Sequence, residues 1–71
     1  MDSKIIGRAI KQSRENKGLS QEVLSGLANI DRSYLSKIEL GLRNPTIVLL
    51  YKLAKALDIN ASEILKAAEE M

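Results

Sequence analysis

The chain has 71 residues and contains no cysteine, histidine, phenylalanine or tryptophan. Without cysteine there is no disulfide and no thiolate metal site. Without histidine, a structural zinc would need an all-carboxylate shell, which is foreign to such sites. With Phe and Trp missing, the core must be aliphatic. The longest apolar run, Ile47 to Tyr51, is far too short to span a bilayer. Lys4, Arg8 and Lys11 interrupt any apolar stretch near the start, so no signal peptide is expected. An enzyme is poorly supported. No His or Cys can serve as base or nucleophile, and no Gly-rich phosphate loop occurs. The scattered carboxylates Glu22, Asp31, Glu39 and Asp58 have helix-capping or surface roles open to them. The expectation is one domain over residues 1–71, soluble and cytoplasmic, with no cofactor, metal or membrane partner. A core this small is marginal unless idealised helices or a partner subunit support it.

The net charge is +2. Residues 1–43 carry eight Lys/Arg against five Asp/Glu, and residues 44–71 carry three against four. The basic excess therefore sits in the first part of the chain. Charge alone leaves a solvated, mildly basic surface as open as a nucleic-acid surface.

Breakers fall at Lys17-Gly18, Asn29, Gly41, Asn44-Pro45 and Asp58 to Asn60, with helical spacing between them. In helix 1 the stripe Ile6, Ala9, Ile10 and Ser13 is expected to face inward. Four later starts share one pattern: a polar cap, an apolar residue before it, and another apolar residue five positions after that one. The sets are Leu19-Ser20-Leu24, Ile30-Asp31-Leu35, Pro45-Thr46-Leu50 and Ile59-Asn60-Ile64. This is the hydrophobic-staple spacing, and Asn60 with Glu63 adds a capping box. The spacing predicts five helices, at about 3–16, 21–28, 32–39, 47–57 and 61–69.

On the helical wheel of residues 32–39, Leu35 and Ile38 fall on one side, with Tyr34 at its edge. Arg32, Ser33, Ser36 and Lys37 form a contiguous polar strip on the other side. The strip holds no acidic residue. It begins with Arg at the positive end of the helix dipole, where a cation adds nothing to helix stability. Helix 2 turns Leu24 and Ala28 inward. Ser25 is small where the helices must cross, and Asn29 suits a left-handed turn. Two short helices in this arrangement form a helix-turn-helix, whose second helix can enter the DNA major groove.

Residues 5–66 resemble the Cro/C1-type, or XRE, helix-turn-helix family. The resemblance rests on Ile10-Lys-Gln-Ser-Arg14, Lys17-Gly-Leu-Ser-Gln-Glu22, Tyr34-Leu-Ser-Lys-Ile-Glu39, Gly41, Arg43-Asn-Pro-Thr46 and Leu53-Ala-Lys-Ala-Leu57. Asp31-Arg-Ser-Tyr-Leu-Ser36 is similar to the pattern of restriction–modification controller proteins, and short phage-type repressors are also close. The resemblance implies an all-α, five-helix, lambda-repressor-like domain with its helix-turn-helix at helices 2 and 3. It implies base contacts from Arg32, Ser33, Ser36 and Lys37, with Ser36 and Lys37 able to reach phosphates instead. It implies phosphate contacts from Gln21, Tyr34, Arg43 and Asn44. Other uses stay open: packing for the Tyr34 ring, an ordinary helix-start polar residue at Gln21, and turn chemistry at Arg43-Asn44. Arg14 and Glu39 are implied to form a structural ion pair. Asn29 and Ser25 depart from the usual turn glycine and alanine, and both meet the steric demand. Gly26 inside helix 2 costs about 1 kcal/mol relative to alanine.

Helix 4 carries more apolar surface than a lone domain hides. Ile47, Leu50, Tyr51, Ala54 and Leu57 are read as its inner face, and Leu49, Leu53 and Ala56 widen the arc. A central, surrounded helix would also account for this. The other expectation is a homodimer through Leu49, Leu53, Ala56, Ile64, Leu65 and Met71. The functional expectation is a sequence-specific, dimeric transcriptional regulator that reads a palindromic site on double-stranded DNA. The alternative is a protein-interaction or antitoxin-like module on the same fold.

Overall fold

The boundaries of the helices follow from caps and turns. In the computed structural model, which describes residues 2–71, the helices are α1 Ser3–Asn16, α2 Gln21–Ala28, α3 Arg32–Glu39, α4 Ile47–Ala56 and α5 Ala61–Glu69. The Asp2 carboxylate accepts from Ile5 N at 3.0 Å, Ser20 Oγ from Val23 N at 3.1 Å, and Thr46 Oγ1 from Leu49 N at 3.1 Å. Asn60 N donates to Glu63 Oε2 at 2.7 Å, the returning half of a capping box. Each such bond satisfies a first-turn donor that the helix itself cannot.

The helix ends are equally regular. Among the described residues, each connection between helices turns on one left-handed residue: Gly18, Asn29, Gly41 or Asp58. The next residue then bonds back five positions. Leu19 N reaches Arg14 O, Ile30 N reaches Ser25 O, Leu42 N reaches Lys37 O and Ile59 N reaches Ala54 O, at 2.9 to 3.2 Å. This is the Schellman closure, with its apolar residue just past the turn. Leu19, Ile30 and Ile59 thus close one helix and also stand before the cap of the next. That double use keeps the connections short and their angles fixed.

The fully buried large side chains are Ile10, Leu24, Leu35, Ile38, Leu53, Leu57 and Ile64, all aliphatic. Each is worth about 1.5–3 kcal/mol on burial. Helix α1 packs on α5 and α3, α2 on α3 and α4, and α4 on α5. The approach of α1 to α3 is set by Gly7, where a Cβ would lie 2.3 Å from the Ile38 carbonyl oxygen. The buried positions of α1 are Gly7, Ala9, Ile10 and Arg14, while Ile6 and Ser13 are half-buried. The inward stripe is therefore rotated toward Gly7 from the one read in the sequence.

Helix α4 needs the larger correction. It buries Leu49, Leu50, Leu53 and Ala54, with Leu57 just beyond its end, and exposes Ile47, Val48 and Tyr51. Leu49, Leu53 and Ile64 therefore belong to the chain's own core and are not available to a dimer interface. Ala56 is half-buried, and Leu65 and Met71 stay at the surface. The cause lies in composition: Ile47 to Tyr51 is apolar at every position, so periodicity cannot select which side faces in. No helix among the described residues is long and apolar enough to cross a membrane.

Candidate nucleic-acid interface

The helix-turn-helix is built from α2, the turn at Asn29-Ile30, and α3. Asn29 takes φ 56 and ψ 47, a conformation that asparagine tolerates better than most residues. Ser25 is buried on α2, and its hydroxyl donates to the Glu22 carbonyl at 3.1 Å. A buried polar atom is thus satisfied within its own helix.

Leu35, Ile38 and Glu39 anchor α3 from behind. Arg32, Ser33 and Lys37 are exposed, and Ser36 and Tyr34 are half-buried beside them. The polar strip is thus open to solvent. In the connection after α3, Arg43 and Asn44 are exposed as well. Asp31 departs from expectation. It holds the N-cap position in extended conformation, yet its side chain makes no capping bond. It accepts from the Ser33 hydroxyl instead. The N–H groups of the first turn of α3 are left without that cap, next to Arg32.

Behind the strip lies a buried polar hub. Arg14 Nε donates to Glu39 Oε2 at 2.8 Å, and its second nitrogen, Nη2, donates to Glu39 Oε1 at 2.9 Å. Nη1 donates to the Leu19 carbonyl at 2.8 Å. The side chains of Arg14 and Glu39 are 10% and 2% exposed. The hydrogen bond that Arg14 donates to Glu39 raises the Arg14 pKa above its usual value. Burial opposes that rise, and the charges of Glu39 and Glu15 add to it. A bidentate fork of this kind fixes orientation as well as distance.

The hub has a third member that pairwise reading missed. Gln21 Nε2 donates to Glu39 Oε1 at 2.9 Å. The side chain expected to reach DNA is thus turned inward, with one of its two amide protons used. Arg14, Gln21 and Glu39 come from α1, α2 and α3, so one carboxylate ties three helices. A glutamine at a helix start gives no sign of its partner, which lies 18 positions away.

The start of α1 also supports the interface. Ser3 Oγ donates to Asn44 Oδ1. A Cβ on Gly41, at φ +78, would lie 2.8 Å from Lys4 Cα. The first turn of α1 therefore lies directly against the connection that carries Arg43 and Asn44. Nothing in the sequence marks this contact, since Ser3 and Asn44 are 41 residues apart. Among the described residues, no group of three or more His, Cys, Asp or Glu could hold a metal ion.

A helix-turn-helix family model matches residues 10–64. The uncharacterized HTH-type transcriptional regulator y4dJ of Sinorhizobium fredii is 37% identical over 67 residues, which cover 94% of this chain and 87% of that protein. The crystal structure of the restriction–modification controller protein C.AhdI from Aeromonas hydrophila superposes with a TM-score of 0.83 at 44% identity. The match covers 86% of this chain and 92% of that one. The master regulator for biofilm formation SinR, crystallised in complex with DNA, gives a TM-score of 0.79 at 43% identity, over 84% of this chain and 97% of that one. This chain spans 60% of the length of the curated SinR relatives it matches. From the turn at Asn29 through the hub to the open strip on α3, the chain belongs to the Cro/C1-type (XRE) helix-turn-helix family of DNA-binding transcriptional regulators.

Proposed function

We propose that this chain is a sequence-specific regulator that binds as a homodimer to a roughly palindromic operator. The observation that carries the reading is α3 itself. Its open face bears Arg32, Ser33, Ser36 and Lys37, and Leu35, Ile38 and the Glu39 hub hold it rigidly from behind. A fixed helix with an acid-free polar face suits the major groove, where Arg can grip guanine O6 and N7 through a bidentate fork. Arg43 and Asn44 would hold phosphates, and the Ser3 bond leaves the Asn44 amide nitrogen free to donate to them. Gln21 keeps one amide proton for the same purpose. Tyr34 would lie along the backbone. Phosphate contacts of this kind position the protein, and base contacts specify the site.

The exposed apolar face of α4 supports the dimer. Ile47, Val48 and Tyr51 lie on one side of that helix, and Leu65 and Met71 add apolar surface on α5 and just after it. A two-fold pairing would set two copies of α3 into successive major grooves, about 34–36 Å apart. The cytoplasm is the expected place of action.

Gel shifts on an operator selected from random DNA test the reading. Arg32→Ala should lose about 1–3 kcal/mol of discrimination at one base pair per half-site. Arg43→Ala should weaken binding to all sequences and flatten the salt dependence by about one unit of slope. If Arg32→Ala bound operator and random DNA as the parent does, the reading of α3 would be wrong.

A further inference from the structure

We propose that Asp31 determines specificity by taking the proton of Ser33, so that Ser33 presents only lone pairs to the groove and reads a base amino group. The proposal rests on the reading that Ser33 meets a base edge. Its own content is the direction of one hydrogen bond.

Two observations carry it. Asp31 occupies the N-cap of α3 without capping it, whereas the side chains of Asp2, Ser20 and Thr46 each bond a first-turn N–H. The Asp31 carboxylate is spent instead on the Ser33 hydroxyl, which donates to Oδ2. Both residues are exposed, at the front of the helix beside Arg32.

A serine hydroxyl has one proton and two lone pairs, and a carboxylate only accepts. The direction of the bond is therefore fixed by chemistry. A bond from a hydroxyl to a charged acceptor is about twice as strong as a neutral one. A base edge would have to outcompete it to receive that proton.

The consequence is a change in what Ser33 can distinguish. A free serine pairs with donor or acceptor edges alike and carries little information. With its proton committed, it matches the major-groove donors, adenine N6 and cytosine N4. It has nothing to offer guanine O6 or thymine O4. The Asp31 charge adds a second effect: placed near phosphates, it lowers affinity for DNA of any sequence. The same side chain would sharpen one base pair and suppress random binding.

The test is selection of bound sites from a random DNA pool by the whole chain, run for the parent and three variants. The parent should prefer adenine or cytosine at one position per half-site, by roughly fivefold, the low end for a base contact. Ser33→Ala should flatten that position. Asp31→Ala should admit guanine and thymine there, because the freed hydroxyl can donate. Asp31→Asn offers only a neutral acceptor, so it should weaken the preference without abolishing it, while binding random DNA more tightly.

Helical content and melting temperature establish that each variant is folded, and Asp31→Asn, which changes the least, remains informative if the alanine variant is not. If Ser33→Ala leaves every position as it was, Ser33 is not a base contact and the underlying reading fails with the proposal. If Ser33→Ala flattens a position but Asp31→Ala keeps the parent's preference, the contact stands and the proton assignment is overturned. Selection of guanine or thymine by the parent at that position overturns it as well, and so does a preference in Asp31→Asn as strong as the parent's.

Discussion

Helices α3 and α4, of 8 and 10 residues, turn opposite kinds of surface outward from the same core. Behind, both are anchored by aliphatic side chains: Leu35 and Ile38 for α3, and Leu49, Leu50 and Leu53 for α4. In front, α3 shows Arg32, Ser33 and Lys37, and α4 shows Ile47, Val48 and Tyr51, the last three 63 to 70% exposed. The polar face is stable in water as it stands and suits a hydrated, charged partner. The apolar face is uncovered area, of the kind that favours an interaction surface. The proposed regulator would thus read with one helix and pair through the other, across one short connection.

The division between the two faces depends on α3 being held in place, and the hub is where that hold breaks most easily. Glu39→Ala leaves the Arg14 guanidinium buried without its partner and frees Gln21. Removing one member of a buried pair costs about 3–5 kcal/mol, a large share of the stability of so small a domain. Urea denaturation should show that loss. The paired change Arg14→Met with Glu39→Leu should recover much of it, because the uncompensated charge is gone. A full recovery of stability without recovery of operator binding would show that the hub serves geometry more than folding.

The two sides of α4 can be separated next. Leu53 is fully buried, so Leu53→Ala should cost about 2–5 kcal/mol in folding. Val48 is 70% exposed, so Val48→Lys should change folding by no more than about 0.5 kcal/mol. It should nonetheless weaken self-association at least about tenfold, the effect of 1.4 kcal/mol. Sedimentation equilibrium measures the second quantity without reference to the first. Equal self-association of parent and Val48→Lys would remove α4 as the pairing surface.

This contrast also explains what the sequence could and could not reveal. The extent of α3 and its open face were legible, because polar and apolar residues alternate there with a clear helical period. Helix starts were legible from Ser20, Thr46 and Asn60, since caps act locally. The face of α4 was not, because five consecutive apolar residues carry no phase. Gly7 stayed invisible, since its role is the absence of a Cβ beside the Ile38 carbonyl oxygen. The Gln21 and Ser3 bonds were hidden for a related reason: each depends on how two helices meet. In the sequence Asp31 reads as a cap, because its position is one. Its proximity to Ser33 turned the side chain to another task.

The support beneath the reading surface offers a subtler probe. Ser3→Ala removes the donor that holds the Asn44 amide, while leaving every exposed cation in place. Binding should weaken by about 1 kcal/mol for operator and random DNA alike, the size of one ordinary hydrogen bond. The salt slope should not change, because no charge is lost. A selective loss on operator alone would place Asn44 among the base contacts and redraw the boundary of the reading face.

Gly26 tests whether α2 has an outward role of its own. It sits inside α2, is exposed, and a Cβ added there would meet nothing within 4 Å. Its conformation is ordinary helix, so neither packing nor backbone strain requires glycine. Gly26→Ala should therefore stabilise the fold by about 1 kcal/mol, the helix-propensity difference. The measurement is a denaturation midpoint at fixed protein concentration, since pairing also shifts apparent stability. If stability rises and operator affinity is unchanged, the glycine is a neutral weakness in the helix. If stability rises while affinity falls, a partner's surface approaches α2 too closely for a methyl group. That outcome would give α2 a contact face of its own beside those of α3 and α4.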